Sequence, residues 1–471
     1  MDDVEENMSH KKEDADKEKQ PPMATERVGV LLWRFSAPAM VAMVVNALYN
    51  IVDRLYIGQG VGRDAMAGLA LTMPYMAILA AFGMLIGVGS GALLSIRLGQ
   101  NKRDEAEQVL GQSLALFCVL FMILPIVALS TLDMTLEHFG GTETSIPYAR
   151  DYLSVILYGN VFTHISFGMN HLMRAEGNAR RAMYSMLIGG IANIILDPIF
   201  IFGFKLGIKG AAIATIISMM LSSIYVLSHF RSKHAIVRLR GRNIRIRPRL
   251  VFDALAIGMS PFLLQLVASA VFVVFTRSIR RCAGGDEMLA LNSTAAIGIV
   301  NGITMLMLMP VFGLSQGVQP IIGFNFGARR LDRVRSAFIL VGKIATLICF
   351  VGTVIVQLGA FLAVRAFTPE ADLIEIAMPA LRRMTMAFPV IGVPIMTTTY
   401  FQSIGYPRMS IFFSLLRQAI LLIPLLHWLP QWFGLSGIWY AMPLSDLGSA
   451  IIVWSVIIRE MRRLKERAAM I

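Results

Sequence analysis

The stretch IGGIANIILDPIFIF, residues 188–202, is apolar enough to lie in lipid, yet it carries Asn193, Asp197 and Pro198. Positions four apart share a helix face, so the Asn193 amide and the Asp197 carboxylate point the same way. A carboxylate inside a membrane span costs roughly 2.5–3.5 kcal/mol, so it needs a task and a partner. Pro198 has no amide hydrogen and leaves the carbonyl of Ile194 without its usual helical donor. The bland alternative is that Asp197 caps a break near the outer end of the span.

The rest of the chain is of the same kind. Of its 471 residues 56% are hydrophobic and only 15% charged, with mean hydropathy +0.65. A soluble protein carries about 25% charge. Apolar runs of span length cover residues 31–53, 65–96, 108–130, 152–173, 182–204 and 210–230, then 250–277, 290–323, 337–361, 377–400, 410–428 and 434–458. The fold expected is therefore all-α and polytopic, with twelve transmembrane helices. Residues 1–27 are polar and read as a disordered cytoplasmic tail, with no cleaved signal. Pro310 and Pro320 should bend the eighth span, and Pro74, Pro125, Pro389 and Pro394 others.

The net charge of +13 does not point to nucleic acid, because of where it sits. Eight Arg and Lys residues fall in 231–249 without one acid, and residues 97–103, 174–181, 329–335 and 459–467 are also basic. All these connectors fall on one side, which by the positive-inside rule is the cytoplasm, against anionic headgroups. The connector 133–143 has three acids and no Lys or Arg. Arg277, Arg280 and Arg281 disagree, as a minority. Both termini are thus expected inside. Cys118, Cys282 and Cys349 form neither a disulfide framework nor a metal set.

The two halves repeat each other. Pro38 matches Pro261 and Arg54 matches Arg277, offset by 223. Gly99 and Asp104 match Gly327 and Asp332, and Gly177 and Arg180 match Gly405 and Arg408, offset by 228. With six spans each, the halves insert in the same orientation, as a parallel repeat of two pseudo-symmetric lobes. The domains are then an N-lobe, 28–230, a basic linker or hinge, 231–249, a C-lobe, 250–458, and a basic tail, 459–471.

The repeat makes its own asymmetries informative. Asp197 faces Leu425 in the alignment of halves, and Asp53 faces Thr276, so the scaffold does not require either acid. Asn46, Tyr49, Asn50 and Asp53 make a polar stripe, and Thr215, Ser218 and Ser222 make another. Asp53, Asp197 and Thr215 lie at one depth and can converge on one water-filled pocket. The hydroxyls of Ser218 and Ser222 can instead glue helices together. Two acids in a shared pocket can take up and release a proton, and the same oxygens suit a hard cation such as sodium. Gln265, Asn292, Asn301 and Gln316 can line the cavity or pair between helices, and Met305 belongs to a methionine-rich, adaptable surface. Asp446 on the last span reads as a packing residue whose replacement by Asn should be mild. No basic residue is read deep within the spans.

There is no phosphate-binding Gly-Lys-Ser/Thr loop and no His-Glu-x-x-His, so neither ATP nor any other cofactor is expected. An enzyme would need a nucleophile–base set or metal ligands. His164 and His171, seven apart on the fourth span, are the only hint, and they read as structural.

The two six-helix lobes, the run Asn50-Ile-Val-Asp53-Arg54, and Asn193 four residues before Asp197-Pro198 resemble multidrug and toxic compound extrusion (MATE) transporters. The match is to their bacterial DinF-like, MepA-type branch. The resemblance covers nearly everything from about residue 27 onward. It implies a V-shaped pair of bundles in the bacterial inner membrane, exporting cationic or amphipathic drugs and dyes against protons or sodium. Its coupling residues fall on Asp53, Asn193, Asp197 and Thr215, with Asn46, Tyr49, Asn50, Ser218, Gln265, Asn292 and Met305 for the substrate cavity. The NorM-like branch carries further acids in the second lobe. Gln265 stands where one would be expected, and the tenth span has none, which argues against a sodium site there. The chain is expected to act as a monomer. A flippase for lipids or lipid-linked precursors is the competing reading, and a cavity for a polyanionic headgroup should be lined with Arg or Lys.

Overall fold

Long apolar runs without turn signals can satisfy their backbone polar groups within the segment, out of water, only as helices. In the computed structural model, which describes residues 22–138 and 142–470, every long element is helical and no strand occurs among the described residues. The N-terminal half comprises α1 (Val28–Gly60), α2 (Arg63–Gly99), α3 (Arg103–Ser130), α4 (Ser145–Ala175), α5 (Ala179–Gly203) and α6 (Gly207–Arg231). The second half comprises α7 (Pro248–Cys282), α8 (Glu287–Gly327), α9 (Leu331–Arg365) and a broken α10 (Ala371–Val390 and Gly392–Ser403). A final helical run, Pro407–Ala468, is divided by Gly434 into α11 (residues 407–433) and α12 (residues 434–468).

Among the described residues nine helices are long and apolar enough to cross a membrane, ten with the bent α10. Twelve crossings result because Gly434 splits the last run and because α4, 31 residues long but more polar, packs inside its lobe. Gly434 adopts φ +55°, ψ −139°, a conformation open to glycine. The α10 halves meet at 53°, where Pro389 and Pro394 fall as the sequence suggests. Helices run without interruption through Pro74, Pro125, Pro310 and Pro320.

Packing follows the repeat. In the first half α2 packs on α3 and α4, α4 on α3 and α6, and α5 on α1 and α6. In the second, α8 packs on α9 and α10, α10 on α9 and α12, and α11 on α7 and α12. Each pairing has its counterpart six helices later, so the halves are two copies of one bundle. Between lobes α1 meets α8, α7 meets α2, and α2 meets α8, again as a symmetric set.

The lobes join near the end that carries the basic connectors, here the basic face. There Gly99 and Gly327, one of the repeat-matched pairs, cross backbone to backbone. A Cβ on Gly99 would lie 2.0 Å from the Phe324 carbonyl oxygen, and one on Gly327 2.2 Å from that of Ile96. Only glycine allows that approach, which gives the paired glycines a physical reason. From this seam the lobes diverge into a V.

Two segments brace the basic face. Of the expected tail, residues 1–21 lie outside the described residues, whereas residues 22–27 are folded. Pro22–Thr25 forms a helical turn, with Met23 and Ala24 buried. Asn325 Nδ2 and Arg333 Nη2 donate to the Met23 carbonyl, at 3.3 and 3.2 Å, Arg333 Nη2 also donates to that of Glu26 at 2.5 Å, and Arg330 donates to that of Ala24. The segment leading into the N-lobe is thereby tied to the C-lobe. The basic linker, 231–249, is tied the opposite way, to two buried N-lobe acids. Glu176 accepts from His229 and from the amides of Ile236 and Val237, while Glu107 accepts from the Arg238 amide and Asn243 Nδ2. It is a folded strap rather than a free hinge.

Candidate functional site

Pro198 does not end its helix. The backbone widens into a π turn, Ile199–Gly203, in which the Phe204 amide donates to the Ile199 carbonyl at 2.9 Å. Such turns absorb a missing hydrogen bond and are frequent at functional sites. Asp197, one residue before the proline, is fully buried inside the helix and makes no capping bond, so the capping alternative falls.

Asn193 Nδ2 donates to Asp197 Oδ1 at 3.1 Å and to Thr215 Oγ1 of α6 at 3.3 Å, and Thr215 passes its own proton to the Ala211 carbonyl at 3.0 Å. From α1, Asp53 brings its carboxyl within hydrogen-bonding reach of that of Asp197. Asp53 is 8% exposed, and Asn193 and Asp197 are 0% exposed. No protein donor serves Asp53 Oδ1, Asp197 Oδ2 or Asn193 Oδ1 among the described residues. Two ionised carboxylates are both acceptors, so their contact requires a proton or a cation between them. The four residues expected to carry coupling therefore form one cluster joining α1, α5 and α6.

Tyr49 and Tyr152 lie within electrostatic range of both acids. Tyr49 packs over Gly190 on α5, and Tyr152 projects from α4, buried at 5% exposure. Tyr152 escapes a reading of the sequence because nothing local ties α4 to the acids. Arg54 adds a nearby positive charge and donates to Met73 Sδ at 3.8 Å.

The wider cavity expectations fare unevenly. Asn50 is exposed, donating to the Asn46 carbonyl at 2.6 Å, while Asn46 Oδ1 is buried without a partner. Gln265 and Asn292 are half-buried and Met305 is 57% exposed, all on the C-lobe, and no hydrogen bond joins them to the acid cluster among the described residues. Ser218 does not line a cavity. It is fully buried and donates to the Ala214 carbonyl at 2.7 Å, the usual outlet for a hydroxyl inside a helix. Ser222 bridges helices, donating to the Ser185 carbonyl at 2.8 Å and meeting Ser166 Oγ at 2.6 Å. His164 stacks on Phe121 with centroids 3.6 Å apart, and no group of metal-ligating side chains occurs among the described residues.

The second lobe holds a charge that the sequence reading passed over. Arg417, in a π turn Leu416–Leu422 of α11, places Nε 2.7 Å from Asp446 Oδ1 of α12. The Ser445 hydroxyl donates to the Arg417 carbonyl at 2.5 Å. Asp446 is thus half of a buried ion pair, not a packing residue, and a basic residue does lie within the spans. Its guanidinium is engaged by Asp446 rather than left to line a cavity.

Comparison with known proteins agrees with this architecture. The MatE family model matches twice, over residues 38–199 and 262–428, once in each lobe. The chain is 26% identical over 430 residues to the multidrug export protein MepA of Staphylococcus aureus (strain MSSA476), covering 90% of this chain and 93% of that protein. It is 24% identical over 426 residues to MepA of Staphylococcus haemolyticus (strain JCSC1435), covering 90% and 92%. Among solved structures, the outward-facing conformation of a multidrug resistance MATE family transporter superposes with a TM-score of 0.86 at 26% identity, covering 94% of this chain and 99% of that one.

Proposed function

The chain belongs to the MatE family, and on that premise we propose that it exports organic cations and amphipathic compounds in exchange for protons, through the Asp53–Asp197 pair. The observation that carries this reading is two adjoining buried carboxyls, with oxygens no protein donor serves, in one lobe of a duplicated scaffold.

The exchange follows from charge balance. A buried pair cannot hold two negative charges without compensation. A proton supplies one form of compensation, and the charge of an organic cation in the adjoining cavity supplies another. Arrival of the cation releases the proton, and a proton from the outer side releases the cation. Asn193 and Thr215 hold the Asp197 carboxyl in place through both halves of the cycle. The basic face lies in the cytoplasm in this reading, with both ends of the chain inside and the V open to the outside of the cell membrane. Sodium at the same oxygens is the variant of this scheme.

Purified protein in liposomes tests the proposal. An imposed pH gradient, acidic on the side opposite the cytoplasmic face, should drive a fluorescent organic cation uphill toward that acidic side, and wild-type transport that ignores the gradient would refute it. Transport that follows a sodium gradient alone would move the site to sodium. Arg417 does not revive the flippase reading, because its charge is paired with Asp446.

A further inference from the structure

The strap between the lobes ends in a basic pocket that plays no part in the exchange. Its first half is anchored, with Ala235 and Val237 buried and their neighbours tied to Glu176 and Glu107. It then turns at Gly241–Asn243 and lies on α3 so closely that a Cβ on Gly111 would be 2.2 Å from the Asn243 carbonyl oxygen. Gly111 is eight residues into α3, roughly 12 Å along its axis. The strap is therefore held down along the helix flank.

Just beyond, Arg242, Arg245 and Arg247, with Asn243, Gln108 and Asp104, surround a cavity of about 330 Å³. The three guanidinium groups are exposed and make no ion pair or hydrogen bond among the described residues. Asp104 offsets one charge of the three. Alternating with the arginines, Ile244 and Ile246 are 41% and 53% exposed, although both are large and apolar. Arginine forks match phosphate oxygens two at a time, and apolar side chains beside them suit the acyl boundary below a headgroup layer.

We propose that this pocket is a binding site for the phosphate headgroup of an anionic phospholipid, with Arg242, Arg245 and Arg247 on the phosphate and Ile244 and Ile246 against the upper acyl chains. A basic pocket at helix ends is the form such sites take. The lipid would fill the charge that the strap leaves uncompensated and hold the inter-lobe linker to the membrane surface.

Native mass spectrometry of the detergent-purified full chain, titrated with phosphatidylglycerol or phosphatidylcholine, tests the assignment. Wild-type protein should retain one phosphatidylglycerol at least tenfold more tightly than phosphatidylcholine. The triple change Arg242→Gln, Arg245→Gln and Arg247→Gln should abolish that preference while leaving the thermal unfolding midpoint of the delipidated protein unchanged, because none of the three bonds to the protein. Replacing the same three by Lys keeps the charge but loses the forks, and should retain part of the preference. Ile244→Ser with Ile246→Ser should weaken phosphatidylglycerol several-fold. Equal retention by the wild type and the triple Gln variant would overturn the site. Displacement of the lipid by millimolar inorganic phosphate, with the isoleucine changes silent, would overturn the lipid assignment in favour of free phosphate.

Discussion

Asp446 is the buried carboxylate of the second lobe, and its replacement by Asn tests what holds it there. Read as a packing residue, Asp446 should tolerate it. Paired with Arg417 at 2.7 Å and fully buried, it should not, because the change strands a guanidinium inside the lobe. Breaking such a pair from one side costs about 3–5 kcal/mol, whereas replacing both partners by apolar residues of similar size is often neutral. Thermal unfolding in detergent should show Asp446→Asn strongly destabilised, with Arg417→Met and Asp446→Leu together recovering most of the loss. Asp53 and Asp197 should behave in the opposite way, since Asn there removes a burden rather than a partner. The Asn193–Asp197–Thr215 set was legible because helical spacing and the repeat together isolate it. Arg417 was passed over, although it stands as the one cation midway along the eleventh span, because its meaning needs α12. Tyr152 was not legible, because its neighbours are distant in sequence.

The π turn after Pro198 could not be foreseen from the proline alone, which predicts a lost hydrogen bond but not whether the helix stops or widens. The seam at Gly99 and Gly327 was visible as a repeated glycine, and its cause is the crossing of α2 and α8. Gly99→Val should force the basic ends apart, since a side chain would begin 2.0 Å from a backbone oxygen. Cysteines placed beside the seam should then cross-link more slowly than in the parent, with protein amount little changed. The strap is another element whose fold the sequence hides, because its charge suggests a solvated loop while its anchors, Glu107 and Glu176, sit in other connectors and helices. Glu176→Gln gives up charge-assisted bonds to two amides and His229. Limited trypsin digestion should cut near Arg238 and Arg240 several-fold faster in that variant, and unchanged cutting would contradict the anchoring.

At the scale of the whole molecule, twelve crossings in two copies of one bundle follow from span count and repeat offset, and the helix pairings reproduce them pair for pair. What the duplication leaves unequal is the chemistry: an acid pair that makes no ion pair among the described residues in one lobe, and a closed ion pair in the other. On the proposed exchange, coupling belongs to the N-lobe and the C-lobe charge is structural. If charge bias sets the orientation as proposed, a cysteine at position 240 should be labelled from the cytoplasm alone by an impermeant reagent. The most direct test of the central claim is drug-driven proton release from Asp197→Asn protein in liposomes. The substitution keeps size and hydrogen bonding but cannot change charge, so well-folded variant should release no proton when the organic cation is added, and its transport should no longer follow the pH gradient. Wild-type proton release, or wild-type transport still tracking that gradient, would contradict the account.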